Sequence, residues 1–181
     1  MVNSRTLSAY ASLLMPFFFI GGLALSIAHN PWFSFTDNAL SDMGSVRNPV
    51  NYYFNWFVII LALMGFIASL GAFRSGLSYL MPFAMISLFF VGVFPEEYPP
   101  HAPAAVLFYV LALADIALVG IKLGRRSPRN YLWAVASFLV FLAMVWMIKG
   151  EVFEGLAIPE LVGATFILAW FVYLGVLQLR R

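Results

Sequence analysis

Six apolar runs of about twenty residues each are the feature that most limits how this chain can fold. They cover approximately residues 7–28, 52–73, 77–95, 102–123, 131–148 and 159–179. A helix needs about 20 apolar residues to cross the roughly 30 Å of hydrocarbon in a bilayer. The pattern therefore predicts an all-α membrane protein, in which residues 1–181 form one bundle of six transmembrane helices.

The composition agrees with this prediction. Hydrophobic residues make up 63% of the chain and charged residues only 10%, whereas a soluble domain has about 25% charged residues. The net charge is +2, but the basic residues lie in short segments between apolar runs, which argues against nucleic-acid binding. The chain has no cysteine, which excludes disulfides, thiolate catalysis and cysteine metal sites.

The charges between the runs predict the orientation of the bundle. With a cytoplasmic N-terminus, eight of the ten basic residues lie inside: Arg5, Arg74, Lys122, Arg125, Arg126, Arg129, Arg180 and Arg181. Only Arg47 and Lys149 then lie outside, and seven of the eight acidic residues join them there. Short cytoplasmic loops carry an excess of Lys and Arg. We therefore expect a multi-pass protein of the cell membrane with both termini in the cytoplasm.

The first outer loop, residues 30–50, is about twenty residues long and combines polar with aromatic side chains. Loops of this length in small domains are usually functional or held by their own packing. Leu40 and Met43 predict a short helix that ends near Gly44 and rests on the bundle as a lid, with Ser41 and Asp42 as caps.

Polar residues at the outer helix ends suggest a site beneath this loop. Ser41, Asp42, Asn55, His101 and Glu160 are all assigned to the outer side. A serine needs an adjacent base to act as a nucleophile. Ser41 is therefore a candidate nucleophile, His101 the base, Asp42 or Glu160 its orienting carboxylate, and Asn55 a substrate-binding residue. Each also has a structural interpretation: His101 and Glu160 suit helix starts, and Asn55 can bond a neighbouring helix.

Asp115 is the only acidic residue deep inside an apolar run, since Glu160 lies at the edge of the last one. An acid at this depth costs about 3 kcal/mol on insertion scales, so a functional role, such as substrate binding or proton transfer, is the default hypothesis. The alternative is a carboxyl group that joins helices through hydrogen bonds. Asp115 follows His101 by fourteen residues, which places the two on roughly one helix face about 21 Å apart.

Several short motifs resemble one family of prokaryotic membrane proteins. The resemblance rests on Ala39-Leu40-Ser41-Asp42-Met43-Gly44, Asn48-Pro49, Phe54-Asn55, Phe94-Pro95 with His101, and Gly155-Leu156-Ala157-Ile158-Pro159-Glu160 with Trp170. In these segments the chain resembles the family called domain of unknown function 998, which is more distantly similar to the Frag1/DRAM/Sfk1 group. The resemblance implies a six-helix membrane fold and an important first loop. It implies no reaction.

Three classes of function follow from the sequence. The first is binding or processing of a lipid or lipid-linked molecule at the outer polar site, with a membrane-embedded hydrolase or acyl transferase as its enzymatic form. The second is a small proton-linked transporter that uses Asp115. The third is a structural or partner-binding membrane subunit. Membrane lipid is the expected partner, with a second copy of the chain as a further candidate. The cofactor stays open: His29, His101 and the outer carboxylates could supply ligands for zinc, although no spacing signature such as HExxH identifies a metal site.

Overall fold

The computed structural model describes residues 4–180. Arg181, one of the basic residues assigned to the cytoplasmic side, lies outside the described residues. Within residues 4–180 the structure contains helices and turns but no strand. Six α-helices follow one another along the chain: α1 Ser4–Ala28, α2 Tyr52–Arg74, α3 Met81–Val93, α4 His101–Gly124, α5 Tyr131–Lys149 and α6 Ala157–Leu179. Short 3-10 helices occur at Leu40–Gly44 and Pro128–Asn130.

Five of the six helices confirm the predicted spans. Helices α1, α2, α4, α5 and α6 are long and apolar enough to cross a bilayer. The third helix is shorter than predicted, because the apolar run at 77–95 contains a helix of only 13 residues, Met81–Val93. That length spans about 20 Å. Gly76 has a φ of 66° and Pro82 lies in the first turn of α3, so the chain turns before the helix begins.

The helices form a closed bundle. Helix α1 packs against α2 and α6, and each later helix packs against the next in the chain. The core includes Trp170, Phe171 and Leu174 of α6 and Ile116 and Val119 of α4, which have no exposed surface. Helix α5 is the most peripheral, since only Ser137 and Met144 are buried along it.

Large apolar side chains cover the outside of the bundle. Phe17 is 74% exposed, Leu132 69% and Trp146 66%. A soluble protein rarely leaves such a large apolar surface uncovered, whereas in lipid it lies in its preferred solvent. The surface therefore agrees with the helix lengths in indicating a membrane-embedded, multi-pass protein.

Three connections meet at one end of the bundle, here called the first-loop end: residues 29–51, 94–100 and 150–156. The first loop is attached to the other two. The N–H groups of Gly155 and Ala157 donate to the carbonyl oxygens of Thr36 and Asn38, at 2.7 and 2.9 Å. The Ser45 hydroxyl donates to the Glu97 carboxylate. The loop is thus fixed over the bundle, with the side chains of Leu40 and Met43 buried beneath it.

Candidate functional site

A cavity lies beneath the first loop and between α1, α2, α3, α4 and α6. It holds about 750 Å³ of space not occupied by atoms, part of which is open to the surroundings. Its walls are apolar side chains such as Phe57 on α2, Leu88 on α3 and Ile167 on α6. Four polar residues also line it: Ser41, His101, Tyr109 and Glu160. Since three of them belong to the loop or to a helix start, the cavity has one polar end and apolar walls.

Glu160 is held at this polar end by the first loop. It lies in the first turn of α6, where the helix dipole favours a negative charge. Its Oε2 accepts a hydrogen bond from the N–H of Leu40 at 2.8 Å. The Tyr109 hydroxyl donates to the backbone carbonyl of Glu160 at 3.0 Å. The loop and α4 therefore fix both the carboxylate and the backbone of Glu160.

His101 is the first residue of α4 and only 7% exposed. Its Nδ1 lies 2.6 Å from the carbonyl oxygen of Phe94. A carbonyl oxygen can only accept, so Nδ1 carries the proton in this hydrogen bond. In the neutral ring Nε2 is then an acceptor with a free lone pair, the arrangement that a general base requires.

Ser41 is the third predicted residue at the cavity. It lies in the 3-10 helix Leu40–Gly44 and lines the cavity. Within residues 4–180 its hydroxyl forms no hydrogen bond that would occupy it. Ser41, His101 and Glu160 thus line one cavity, but the expected bond between a carboxylate and the His101 ring is not among the described hydrogen bonds. The ring is bonded to Phe94 instead, and the catalytic roles remain predictions.

Asp42 and Asn55 lie outside this cavity and hold the first loop. Asp42 Oδ2 accepts the N–H of Ala39 at 3.0 Å and the side-chain amide of Asn38 at 3.1 Å. The side-chain amide of Asn55 donates to the carbonyl of Gly44 at 3.0 Å. The capping role predicted for Asp42 is present, since its carboxylate bonds the residue just before the 3-10 helix.

Asp42 also borders a second, shallower groove on the surface, together with Trp32, Arg47, Asn48 and Glu96. Burial of the carboxyl group, followed by the hydrogen bond and negative charge of Asp42, raises the pKa of Glu96 to about 7. The neighbouring Glu97 has its pKa lowered, chiefly by the hydrogen bond from Ser45. In residues 4–180 no group of three His, Asp or Glu side chains is placed to hold a metal ion.

Asp115 lies far from the polar end of the cavity. Its Oδ1 accepts the N–H groups of Tyr79 and Leu80, at 2.5 and 2.7 Å. These residues immediately precede α3, so the carboxylate caps the start of a neighbouring helix. Asp115 does not line the cavity. The structure thus places it in a helix-joining position, and a role in substrate binding remains a prediction.

Tyr109 is a site residue that the sequence interpretation missed. His101, Ala105, Phe108 and Tyr109 all line the cavity, and they follow the i, i+4, i+7, i+8 spacing of one helix face. That spacing was visible in the sequence. A tyrosine in an apolar run is easily taken for a lipid-facing residue, because its polar hydroxyl is small.

The fold and cavity together define a polytopic helical membrane protein with a cavity at one end. A family model described as "Protein of unknown function (DUF998)" matches residues 13–177. The chain belongs to this family, as the motif resemblance indicated. No curated protein and no solved structure matches the chain.

Proposed function

We propose that this protein binds a lipid or lipid-linked molecule, with an apolar chain in the cavity and a head group beside Ser41, His101 and Glu160. The cavity carries this proposal. Its lining is mostly apolar with a few polar groups, which is the composition that ligand sites usually have. Its polar residues are confined to one end. An amphiphilic molecule likewise has a polar head at one end and an apolar chain.

The membrane setting determines which contacts can supply affinity. An apolar chain that leaves the bilayer for the cavity moves between two apolar surroundings, so it gains little from the hydrophobic effect. The shape of the cavity walls can select ligands by the length and the number of their apolar chains. Most of the binding free energy must then come from hydrogen bonds between the head group and the polar end of the cavity.

We also propose that all six apolar segments cross the membrane, with both termini in the cytoplasm. The charge distribution supports this orientation. The short α3 can complete a crossing if residues 75–80 lie within the protein at membrane depth. Leu77 and Ser78 in this stretch are 1% exposed, and Asp115 bonds the next two N–H groups. Non-helical backbone is tolerated at that depth where protein groups satisfy it.

An enzyme is the second candidate, a hydrolase or acyl transferase acting on the bound lipid. It is favoured by the free Ser41 hydroxyl and the free Nε2 of His101, which line the same cavity. In that case Ser41→Ala would still bind lipid, with one head-group hydrogen bond fewer, but would form no product. If the wild type and Ser41→Ala form product equally, the enzyme proposal is rejected and only lipid binding remains proposed.

Photocrosslinking tests the binding proposal. The probes are hexadecanol and hexadecanoic acid with a diazirine in mid-chain, so the result does not depend on one head group. The protein is reconstituted in lipid nanodiscs, and labelled peptides are located by mass spectrometry. We expect labels on cavity-wall residues such as Phe57 and Leu88.

Matched variants on α4 provide the control. Ala105 lines the cavity, while its neighbour Val106 is 62% exposed. Ala105→Phe fills the cavity and should remove most of the wall labelling, whereas Val106→Phe should leave it unchanged. Labels confined to exposed residues, or an equal response of the two variants, would refute binding in the cavity.

A further inference from the structure

The polar end of the cavity is rich in hydrogen-bond acceptors. Glu160 contributes a carboxylate in which only Oε2 has a described hydrogen bond, from the N–H of Leu40. His101 contributes Nε2, because its Nδ1 proton is bonded to Phe94. The acceptors come from two different helices, α4 and α6.

Donors at the same place are nearly all occupied. The Tyr109 hydroxyl donates to the carbonyl of Glu160. The Ser41 hydroxyl is the one free donor among the described cavity-lining side chains. No Lys or Arg is among these residues, and the nearest arginine of the loop, Arg47, borders the separate groove with Asp42 and Glu96.

We propose that the bound amphiphile has a head group that donates hydrogen bonds and has no negative charge, either a hydroxyl or an ammonium group. This inference rests on the proposed function and specifies its ligand. A hydroxyl or ammonium hydrogen satisfies the Glu160 carboxylate and the His101 lone pair directly. When Glu160 is ionised, a phosphate, sulfate or carboxylate head would place a second negative charge beside it, and the described cavity-lining residues include no Lys or Arg to balance that charge. Like charges in a site of low dielectric repel strongly.

Competition between single-chain amphiphiles tests the inference. The wild-type protein in nanodiscs is labelled with the hexadecanol photoprobe, and competitors are added at stated mole fractions of lipid. The competitors are hexadecanol, hexadecylamine and hexadecyl sulfate, which differ only in the head group. We expect the alcohol, the amine or both to displace the probe at a mole fraction at least about tenfold lower than the sulfate, the effect of one charge-assisted hydrogen bond.

The variant Glu160→Gln separates charge from hydrogen bonding. Its amide oxygen can still accept the Leu40 N–H, so the loop contact is kept. If the head group is an ammonium, the amine should lose about tenfold in competition, because it loses its counter-charge. If it is a hydroxyl, the alcohol should be little affected. In both cases the sulfate should compete better than it does against the wild type.

The outcomes separate this inference from the proposed function. If hexadecyl sulfate displaces the wall labelling as effectively as the alcohol and the amine do, the head-group inference is overturned. Lipid binding in the cavity then still stands. Absence of wall labelling by any probe would refute the proposed function and this inference together. Should Glu160→Gln not fold, the ranking of competitors on the wild type still decides the question.

Discussion

Asp115 shows how a single buried carboxylate can join two helices. It belongs to α4, but its Oδ1 accepts the two N–H groups that precede α3. An N–H group left without a partner in an apolar environment costs about 1–3 kcal/mol. The hydrogen bonds to Asp115 therefore allow the chain to leave the helical conformation at residues 75–80 without this cost.

Replacement of Asp115 distinguishes this structural role from proton transfer. Asp115→Ala should lower the free energy of unfolding by about 2–5 kcal/mol, since two N–H groups lose their acceptor. Asp115→Asn keeps an acceptor oxygen and should retain most of the stability. The midpoint of thermal unfolding in detergent measures both, with Leu118→Ala, on the exposed side of α4, as the control. If both variants keep the thermal midpoint of the wild type, the structural role of Asp115 is contradicted.

Glu96 predicts a pH dependence at the first-loop end. Its pKa is raised from an ordinary value of 4.5 to about 7, first by burial and then by Asp42; Glu97 raises it further and Arg47 opposes the rise. A raised carboxyl pKa means that the folded state holds the proton more tightly than the unfolded state. The contribution of Glu96 to the stability of the folded state is therefore complete below about pH 4.5, and it is lost as the pH rises through about 7.

The thermal midpoint of the wild type, measured from pH 5 to pH 8, should therefore fall more steeply than that of Glu96→Gln. The amide cannot ionise, so the variant lacks this contribution to the slope. Glu97 does not confuse the comparison, because its pKa is lowered and its stabilising effect is lost only at lower pH. Parallel curves for the two proteins would contradict the prediction.

At the scale of elements, the first loop depends on a close backbone approach to the connection between α5 and α6. The N–H of Gly155 donates to Thr36, and a Cβ at Gly155 would lie less than 3.0 Å from three backbone atoms of Asn38. Only glycine permits this approach. The loop in turn places the Leu40 N–H against Glu160, so docking of the loop completes the polar end of the cavity.

Gly155→Ala should separate the loop from this connection. We expect faster hydrogen–deuterium exchange at the amide of Leu40, because its bond to Glu160 depends on the docked loop. Gly21→Ala is the matched control, since a Cβ at Gly21 has no atom within 4 Å. Exchange at Leu40 that is equally slow in both variants would show that the loop docks without Gly155.

At the scale of the whole molecule, the charge asymmetry predicts which connections face the cytoplasm. The chain has no cysteine, so one introduced cysteine is a unique label site. Ser127 precedes α5 and Glu154 follows it, and both residues are exposed. With a membrane-impermeant maleimide, Glu154→Cys should react on intact cells and Ser127→Cys only after permeabilisation. The unmodified protein is the unlabelled control, and the reverse pattern would reject a cytoplasmic C-terminus.

The sequence predicted which residues lie at the first-loop end, but it did not predict which of their side chains face the cavity. Ser41, His101 and Glu160 line one cavity because the loop and the starts of α4 and α6 meet at the first-loop end. Asp42 and Asn55 lie at the same end, but their side chains bond the loop backbone instead. The sequence places a residue at an end of the bundle. Its rotamer and its contacts determine whether it reaches the cavity.

Local sequence was enough to predict the membrane class, the family and the bounds of the five long helices. Those properties depend on local apolar content, because the thickness of hydrocarbon sets the length of a spanning helix. The tertiary structure decided the length of α3, the docking of the first loop and the existence of the cavity. Each of these depends on groups far apart in the sequence, such as Asp115 with Tyr79 and Glu160 with Leu40. Such contacts arise only after the helices pack, when buried polar groups must find partners that no local pattern specifies.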